Sequence, residues 1–331
     1  MSGVFRAAAP VRLDFAGGWT DVPPYSAREG GVVVSAAIGL YAHAVVQLGG
    51  SGLRLAAQDL GASLELPDAG ALCASGPLAL LQAGLRLLPV GPCALTTRSE
   101  APPGSGLGSS GSLDVAIVSA LAAARGDPLG ARETADLACR LEAVEAGIPG
   151  GRQDQFSAAF GGFLRMEFRD PAAAVEPLEL DPAVLAELER RVLLVYTGAS
   201  RFSGATIGRV IRAYERGDGG VTRALHGLRD VAEQMAGALR GGDLARIGAL
   251  LDANWRLQRT LDPAMCTPPM DRLGHAMRGA GALGGKAAGA GAGGSMFFLC
   301  GDDPAPAIAA ARAMAMAVLP VRWVAAGVRP C

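Results

Sequence analysis

Three short segments of this 331-residue sequence place glycine beside side chains that bind anions or hydroxyl groups. The first is PPGSGLGSSGS at 102–112, which leads into an apolar stretch with the composition of a helix. Glycine lets backbone N–H groups approach an anion closely, and the start of a helix adds unpaired amides and a positive dipole end. A serine hydroxyl placed there can ligate a magnesium ion that bridges phosphates. The segment therefore predicts a phosphate-binding loop.

The same loop leaves alternatives open. Residues 106–111 formally match G-x-G-x-x-G, so a nicotinamide oxidoreductase stays a candidate. Against it, Pro102 and Pro103 separate the glycines from the preceding strand, whereas the dinucleotide fingerprint needs a tight strand-to-helix turn. The Walker pattern is absent because no Gly-Lys-Ser/Thr follows. A plain turn capped by serine is the simplest alternative.

The second segment is RLDFAGGWTD at 12–21. A predicted strand ends at Gly17 and Gly18, and Trp19, Thr20 and Asp21 follow. Proteins bind sugars with such groups, because carboxylates accept from hydroxyls and an apolar ring face packs on the sugar. An ordinary Gly-Asp turn explains the segment equally well.

The third segment, GAGALGGKAAGAGAGGSMFF at 279–298, has the composition of a flexible linker. It runs directly into an apolar, strand-like stretch, which favours a closed loop between two strands. Lys286 lies here and is the single lysine among the 30 lysines and arginines of the chain.

Two acids accompany these segments. Glu142 is predicted at the end of a helix, and Asp154 follows 12 residues later in GRQDQ. A carboxylate near phosphates can hold Mg²⁺, and one beside a substrate hydroxyl can accept its proton. Arg152 is expected to keep Asp154 ionised. Taken singly, each acid also fits a solvated charge at a helix end.

Composition excludes several classes of function. A net charge of −1 argues against a broad nucleic-acid surface or an anionic membrane as partner. No apolar run reaches the roughly 18 residues of a membrane span, and charges near the start argue against an export signal. The six cysteines and three histidines are scattered, which argues against structural zinc, disulfides and histidine catalysis. We expect a cytoplasmic protein.

The alternation of strands and helices predicts an α+β architecture with a domain boundary near residue 170, between domains 1–170 and 171–331. Strands are predicted at 4–8, 11–16, 32–48, 93–98, 162–168, 191–196, 295–300 and 321–326. Helices are predicted at 77–88, 109–124, 128–146, 153–160 and 304–318, with a further run between 203 and 279. A Pro- and Ala-rich connection at 169–177 is predicted to link the domains.

Taken together, the three segments resemble the motifs of the GHMP kinase family, in the family's order and over nearly the whole chain. GGWTDVPPYS at 17–26, GRQDQFSAAFGG at 151–162 and YTGASRFSG at 196–204 resemble the branch with heptose 7-phosphate kinases and fucokinases. The resemblance implies ATP and Mg²⁺ as cofactors. It also implies a two-domain fold, with an N-terminal domain like ribosomal protein S5 domain 2, a ferredoxin-like C-terminal domain and a cleft between them.

The resemblance further implies roles for individual residues. Asp154 is implied as the base and Arg12 as its basic partner, while Ser110 and Glu142 are implied as Mg²⁺ ligands. The implied triphosphate cradle comprises Pro103, Gly104, Ser105, Gly106, Leu107, Gly108, Ser109 and Ser110. The implied substrate residues are Gly18, Thr20, Asp21, Arg152, Gln153, Arg201, Lys286 and Gly291. Ala292 stands where glycine is common in the third motif, which predicts a slight displacement of that loop.

The activity implied by the resemblance is transfer of the ATP γ-phosphate to the anomeric hydroxyl of a sugar or sugar phosphate, with D-glycero-D-manno-heptose 7-phosphate as the expected acceptor. A phosphorylated acceptor needs its own cation site, for which the candidates are Arg152, Arg201, Arg256, Arg259 and Lys286. A kinase of free L-fucose is an alternative, and a sugar and ATP sensor without turnover is another. We expect a monomer or homodimer that binds a small molecule and neither nucleic acid nor membrane.

Overall fold

The structure, a computed structural model, describes residues 3–198 and 204–330, and the side chains of 204 and 205 are not part of that description. The described strands are β1 (Gly3–Ala16), β2 (Gly31–Leu48), β3 (Leu53–Ala57), β4 (Ala62–Leu66), β5 (Cys93–Ser99), β6 (Phe163–Arg169), β7 (Ala172–Pro177), β8 (Val192–Tyr196), β9 (Ala282–Ala287), β10 (Ser295–Cys300), β11 (Ala317–Leu319) and β12 (Arg329–Pro330).

The described helices are α1 (Tyr25–Glu29), α2 (Ala79–Leu87), α3 (Ser109–Arg125), α4 (Ala131–Arg140), α5 (Gln153–Phe160), α6 (Pro182–Arg191), α7 (Gly204–Glu215), α8 (Gly219–Gly241), α9 (Leu244–Leu261), α10 (Pro268–Gly279) and α11 (Ala305–Ala313). A π-helical turn, Leu141–Glu145, continues α4 directly. None of the helices in the described part of the chain is long and apolar enough to cross a membrane.

Within residues 3–198 and 204–330, the strands form two sheets. The larger has the order β12-β1-β2-β5-β3-β4, and β6 and β7 extend it from β2. The long strand β2 makes this possible, since its first half pairs with β6 and its second half with β5, both antiparallel. The smaller sheet, β11-β8-β10-β9, is antiparallel throughout. The predicted α+β architecture is confirmed.

Alternating side chains bury both faces of the smaller sheet. Leu193 and Val195 face a core formed with the C-terminal helices, whereas Leu194 faces a core shared with β1 and β2. Phe297 follows the same alternation and meets Phe15 of β1, with ring centroids 5.4 Å apart. Successive residues of a strand point to opposite faces, so one apolar run packs against both halves of the molecule.

Two regions differ from their predicted secondary structure, one near the predicted domain boundary and one at the C-terminal end. The predicted connection at 169–177 contains β7, which pairs with β6 as an edge hairpin of the larger sheet. Its alanines are poor strand formers, and an edge position tolerates them because one side of the strand is unpaired. The domain boundary stays a proposal, and this hairpin favours a position after Pro177.

The C-terminal segment also differs from its prediction. The helix predicted at 304–318 ends at Ala313, and β11 occupies part of its range. The strand predicted at 321–326 is an extended segment with one bridge, from Trp323 to Ile38 of β2. The hairpin β3–β4 was missed, because five-residue strands show too little periodicity to be recognised.

Candidate active site

A cleft of about 460 Å³ lies where the three glycine-rich segments meet. Its lining comes from the end of β1 and the turn after it, the loop before α3, the π-helical turn after α4, the segment 148–154, and the loop between β9 and β10. The sequence motifs are therefore one site in space, although more than 250 residues separate the first from the last.

The predicted phosphate loop forms one wall of this cleft. Gly104, Gly106 and Gly108 all have positive φ, between 67° and 77°. Gly108 is the N-cap of α3 and is left-handed with no side-chain cap. The first amides of α3 therefore remain available to an anion, at the positive end of the helix dipole. Ser105 Oγ and Ser109 Oγ are buried without a hydrogen-bond partner among the described residues, which fits an oxygen-rich ligand.

Two members of the predicted cradle do not line the cleft. Leu107 is fully buried in the core shared by the two halves and anchors the loop from behind. Pro103 lies on the surface and offers its carbonyl to the Tyr196 hydroxyl at 3.5 Å. The remaining six line the cleft: Gly104, Ser105, Gly106, Gly108, Ser109 and Ser110.

Arg12 joins the carboxylate of Asp154 to two of the glycine-rich loops. Its Nε and Nη2 lie 2.8 and 2.7 Å from Oδ1 of Asp154. Its Nη1 donates to the carbonyls of Gly106 and Ala288, both at 2.9 Å. The side chain of Arg12 is 5% exposed and that of Asp154 is 27% exposed, so the acid faces the cleft while its partner is fixed in the wall. A planar guanidinium suits this, since its donors are held in a rigid fork.

Arg152 does not pair with Asp154. It donates to the carbonyls of Pro171 and Ala172 at 2.7 and 2.8 Å, and its guanidinium stacks over Phe168. It is absent from the cleft lining. The arginine that contacts Asp154 is instead Arg12, which lies 142 residues away in the sequence.

The predicted metal ligands are in contact with each other. Ser110 Oγ donates to Oε1 of Glu142 at 2.6 Å, and Gln155 Nε2 donates to Oε2 at 2.6 Å. Burial raises the pKa of Glu142, and the hydrogen bonds from Ser110 and Gln155 oppose that rise. A hydroxyl and a carboxylate oxygen beside phosphates are hard donors of the kind Mg²⁺ takes. No cage of three or more His, Cys, Asp or Glu forms within the described residues, so phosphate and water would supply the other ligands.

Asp21 also lines the cleft. Its Oδ2 accepts from the backbone N–H of Gln153 at 2.9 Å. Burial raises the pKa of Asp21 from its usual 3.8 to about 6; the nearby charges of Asp154 and Asp14 add to this, and the Gln153 amide opposes it. Such an acid is ionised at neutral pH and ready to accept from a hydroxyl. Gly18, Gln153 and Gly291 also line the cleft, as predicted.

Three other predicted substrate residues have different positions. Thr20 is fully buried, and its hydroxyl contacts the carbonyls of Gly17 and Val32, which closes the turn after β1. Lys286 is fully buried in β9, and its Nζ donates to the Asp14 carbonyl at 2.6 Å and to Asp14 Oδ2 at 2.8 Å. Arg201 lies outside the described residues.

Asp14 and Gln155 line or support the site, yet neither was assigned a role from the sequence. Asp14 had a usable signal, because it is two residues after Arg12 on the same strand and so shares its face. Trp19 was described as an aromatic wall, but its positive φ of 81° gave no sequence signal. Ala292 likewise adopts φ 61°, which shows that the loop accepts a methyl group in left-handed backbone.

Comparison with known proteins adds to this geometry. Models of the GHMP kinase N-terminal and C-terminal domains match residues 74–162 and 235–317. A D-glycero-alpha-D-manno-heptose 7-phosphate kinase from Campylobacter jejuni is 32% identical over 313 residues, with 88% of each chain covered. The chain belongs to the GHMP kinase family. It is accordingly an ATP-dependent carbohydrate kinase, and the dinucleotide alternative is overturned.

Other GHMP kinases with different named substrates are also similar. A bifunctional fucokinase/GDP-fucose pyrophosphorylase from Arabidopsis thaliana is 28% identical, covering 90% of this chain but 30% of the relative. The crystal structure of a D-glycero-D-manno-heptose 1-phosphate kinase from Bacteroides thetaiotaomicron superposes with a TM-score of 0.77 and 28% identity, covering 99% of both chains. The whole-chain match confirms the expected two-domain kinase fold.

Proposed function

We propose that this GHMP kinase transfers the γ-phosphate of ATP to the anomeric hydroxyl of D-glycero-D-manno-heptose 7-phosphate. The observation that carries the transfer is the position of Asp154 against the phosphate loop. A Cβ built on Gly108 would lie 3.0 Å from Asp154 Cγ and 3.3 Å from Arg12 Cζ. The carboxylate therefore abuts the N-terminus of α3, where the phosphates would bind, and it lines the same cleft as Asp21.

In the proposed reaction, the acceptor hydroxyl lies between Asp154 and the terminal phosphate. Its oxygen forms the new bond to γ-phosphorus as the bond to the β-phosphate oxygen breaks, and the hydroxyl proton passes to Asp154. With heptose 7-phosphate as the acceptor, the products are the heptose 1,7-bisphosphate and ADP. Arg12 orients the carboxylate of Asp154 for this step, because its Nε and Nη2 both contact Oδ1. Positioning and neutralisation of charge contribute most of the rate in phosphoryl transfer.

We propose that Ser110 and Glu142 hold Mg²⁺ beside the β- and γ-phosphates. The metal, when bound, neutralises the charge that develops on the phosphate oxygens. The Ser110 hydroxyl can keep donating to Glu142, as it does here, because its oxygen lone pairs remain for a metal ion. Gln155 keeps the other carboxylate oxygen of Glu142 in place, since it donates to Oε2 from α5.

A phosphorylated acceptor requires a cation in addition. Among the described residues that line the cleft, Arg12 is the sole arginine or lysine, and it is already engaged. Arg259 is paired with Asp271 at 3.2 Å, and Lys286 with Asp14. Arg152 and Arg256 do not line the cleft either. We therefore assign the 7-phosphate contact to Arg201, the remaining candidate from the sequence, which lies outside the described residues.

This assignment predicts a selective effect of Arg201→Ala. We expect KM for heptose 7-phosphate to rise about 10- to 100-fold, because a charge-assisted contact of roughly 1.5–3 kcal/mol is lost. KM for ATP should remain within about twofold. Arg259→Ala, which removes an arginine outside the cleft, is the matched control. An unchanged KM for the sugar phosphate would contradict the assignment.

Because Arg12, the sole arginine or lysine among the described cleft residues, already pairs with Asp154, the structure equally favours a second candidate, a kinase of free L-fucose. A coupled assay of ADP release separates the two. The panel is L-fucose, D-mannose, D-galactose, D-glycero-D-manno-heptose and its 7-phosphate, each at saturating Mg-ATP. Turnover of the 7-phosphate at least tenfold above the free heptose supports our proposal. Faster turnover of L-fucose would support the second candidate instead. Absence of ADP release with every sugar would refute both candidates.

The raised pKa of Asp21 predicts a pH-dependent stability difference between wild type and Asp21→Asn. Because its folded pKa of about 6 exceeds its usual 3.8, the contribution of Asp21 to stability is fully present below about pH 4 and is lost as pH rises through 6. Two pH units correspond to about 3 kcal/mol. The free energy of unfolding of Asp21→Asn, relative to wild type, should thus rise by about 3 kcal/mol between pH 4 and 7. Denaturant unfolding at both pH values measures it. A pH-independent difference would contradict this.

A further inference from the structure

The proposed reaction assigns no role to the buried carboxylate of Asp14. Asp14 lies on β1 two residues after Arg12, lines the cleft, and has a side chain that is 2% exposed. Its Oδ2 accepts from Lys286, whereas Oδ1 has no hydrogen-bond partner among the described residues. A buried acceptor left unpaired is unfavourable, so this oxygen calls for a partner that the chain itself does not supply.

Lys286 lies behind Asp14 and forms an ion pair with no other carboxylate among the described residues. Its ammonium is fully buried, contacts both the carbonyl and Oδ2 of Asp14, and lies 5.8 Å from the ring centroid of Phe297. Burial lowers the pKa of Lys286, and the charge of Asp14 opposes that fall. An apolar pair would fill the same space with similar or greater stability. Stability therefore does not explain the ion pair, and binding of a ligand in the cleft does.

Asp14 lies beside residues that we propose to contact the acceptor. A Cβ built on Gly18 would lie 2.2 Å from Asp14 Oδ2 and 3.1 Å from Gln153 Nε2. Gln153 in turn contacts Asp21 through its backbone N–H and its side chain. Asp14 and Gln153 thus lie against Gly18, whose missing side chain lets the chain pack this closely, and Asp14, Gly18, Gln153 and Asp21 all line the same cleft.

We propose that Oδ1 of Asp14 accepts a hydrogen bond from a non-reacting ring hydroxyl of the sugar, with Lys286 holding the carboxylate in place. The proposal rests on the proposed sugar kinase function. It makes Asp14 a specificity-determining residue that selects acceptors with a hydroxyl at one ring position, while Asp154 serves the reacting hydroxyl and Asp21 another.

The test compares how much the loss of each sugar hydroxyl weakens binding to wild type and to variants of Asp14. The 2-, 3- and 4-deoxy derivatives of L-fucose and of D-glycero-D-manno-heptose 7-phosphate are titrated by calorimetry in the presence of a non-hydrolysable ATP analogue. For wild type, we expect one deoxy derivative of the bound sugar to bind about 10- to 100-fold more weakly through loss of the Asp14 contact. In D14L/K286M, which has no acceptor and no buried charge, the loss at that position should shrink to within about threefold.

Asp14→Asn/Lys286→Gln is the conservative variant and keeps an acceptor oxygen. It should restore part of the discrimination at the same hydroxyl, which a merely structural role would not do, and it also serves if D14L/K286M fails to fold. Equal discrimination in wild type and the variants overturns the proposal. ADP release from the parent sugars is measured in parallel. Discrimination by Asp14 without ADP release would refute the kinase assignment alone, whereas ADP release without that discrimination would refute only the role of Asp14.

Discussion

Replacing Asp154 with asparagine is expected to lower kcat by about 10²- to 10⁴-fold, the range for loss of a general base. Asparagine has nearly the same shape but cannot take the proton from the acceptor hydroxyl. Arg12 would still donate to the carbonyls of Gly106 and Ala288, so the phosphate loop should keep its conformation. We therefore expect KM for ATP to stay within about threefold. Steady-state kinetics with both substrates varied measures the two effects separately.

A matched control for this variant lies on the neighbouring helix α4. Asp136 is exposed and does not line the cleft, so Asp136→Asn removes the same charge from the same half of the molecule. Its kcat should equal that of wild type within error. Unchanged turnover in Asp154→Asn would remove Asp154 from the reaction. A joint rise in KM for ATP would instead show that the Arg12–Asp154 pair shapes the phosphate loop.

The parts of the site that sequence could predict are those encoded locally. Glycine spacing and a helix start lie within 102–112, and the structure shows left-handed glycines leading into α3, which begins at Ser109 as predicted. The long apolar strand β2 and the helix α5 were equally evident. Roles that require a distant partner were not derivable from local pattern. The pairing of Arg12 with Asp154 came from resemblance to a family, since neither neighbourhood contains the other.

Lys286 shows the limit most clearly. As the single lysine, within a glycine-rich stretch, it was a candidate for binding the phosphate of the acceptor. Sequence could not show that β9 carries it behind β1, where Asp14 meets it. The same reasoning failed for Arg152, because the hairpin β6–β7 captures its guanidinium. A cation's role depends on which acceptor the fold brings to it, and that information lies in strand pairing rather than in the motif.

Lys286→Met is expected to have the largest effect on stability. It leaves the buried carboxylate of Asp14 without its counter-charge, and removing one partner of a buried pair typically costs about 3–5 kcal/mol. The measurement is the free energy of unfolding in urea at pH 7. Arg169→Met is the control, because it breaks a surface pair with Glu167 in which the arginine is 72% exposed. Such a pair contributes about 0–1 kcal/mol.

The double variant Asp14→Leu/Lys286→Met distinguishes a lost charge partner from lost packing. If the unpaired carboxylate causes the destabilisation, the second substitution should recover most of it, because two apolar side chains of similar volume replace the pair. If packing of the lysine stem is the cause, the double variant should be no more stable than Lys286→Met. Recovery of stability combined with weaker sugar binding would show that this ion pair is maintained for recognition of the acceptor rather than for the fold.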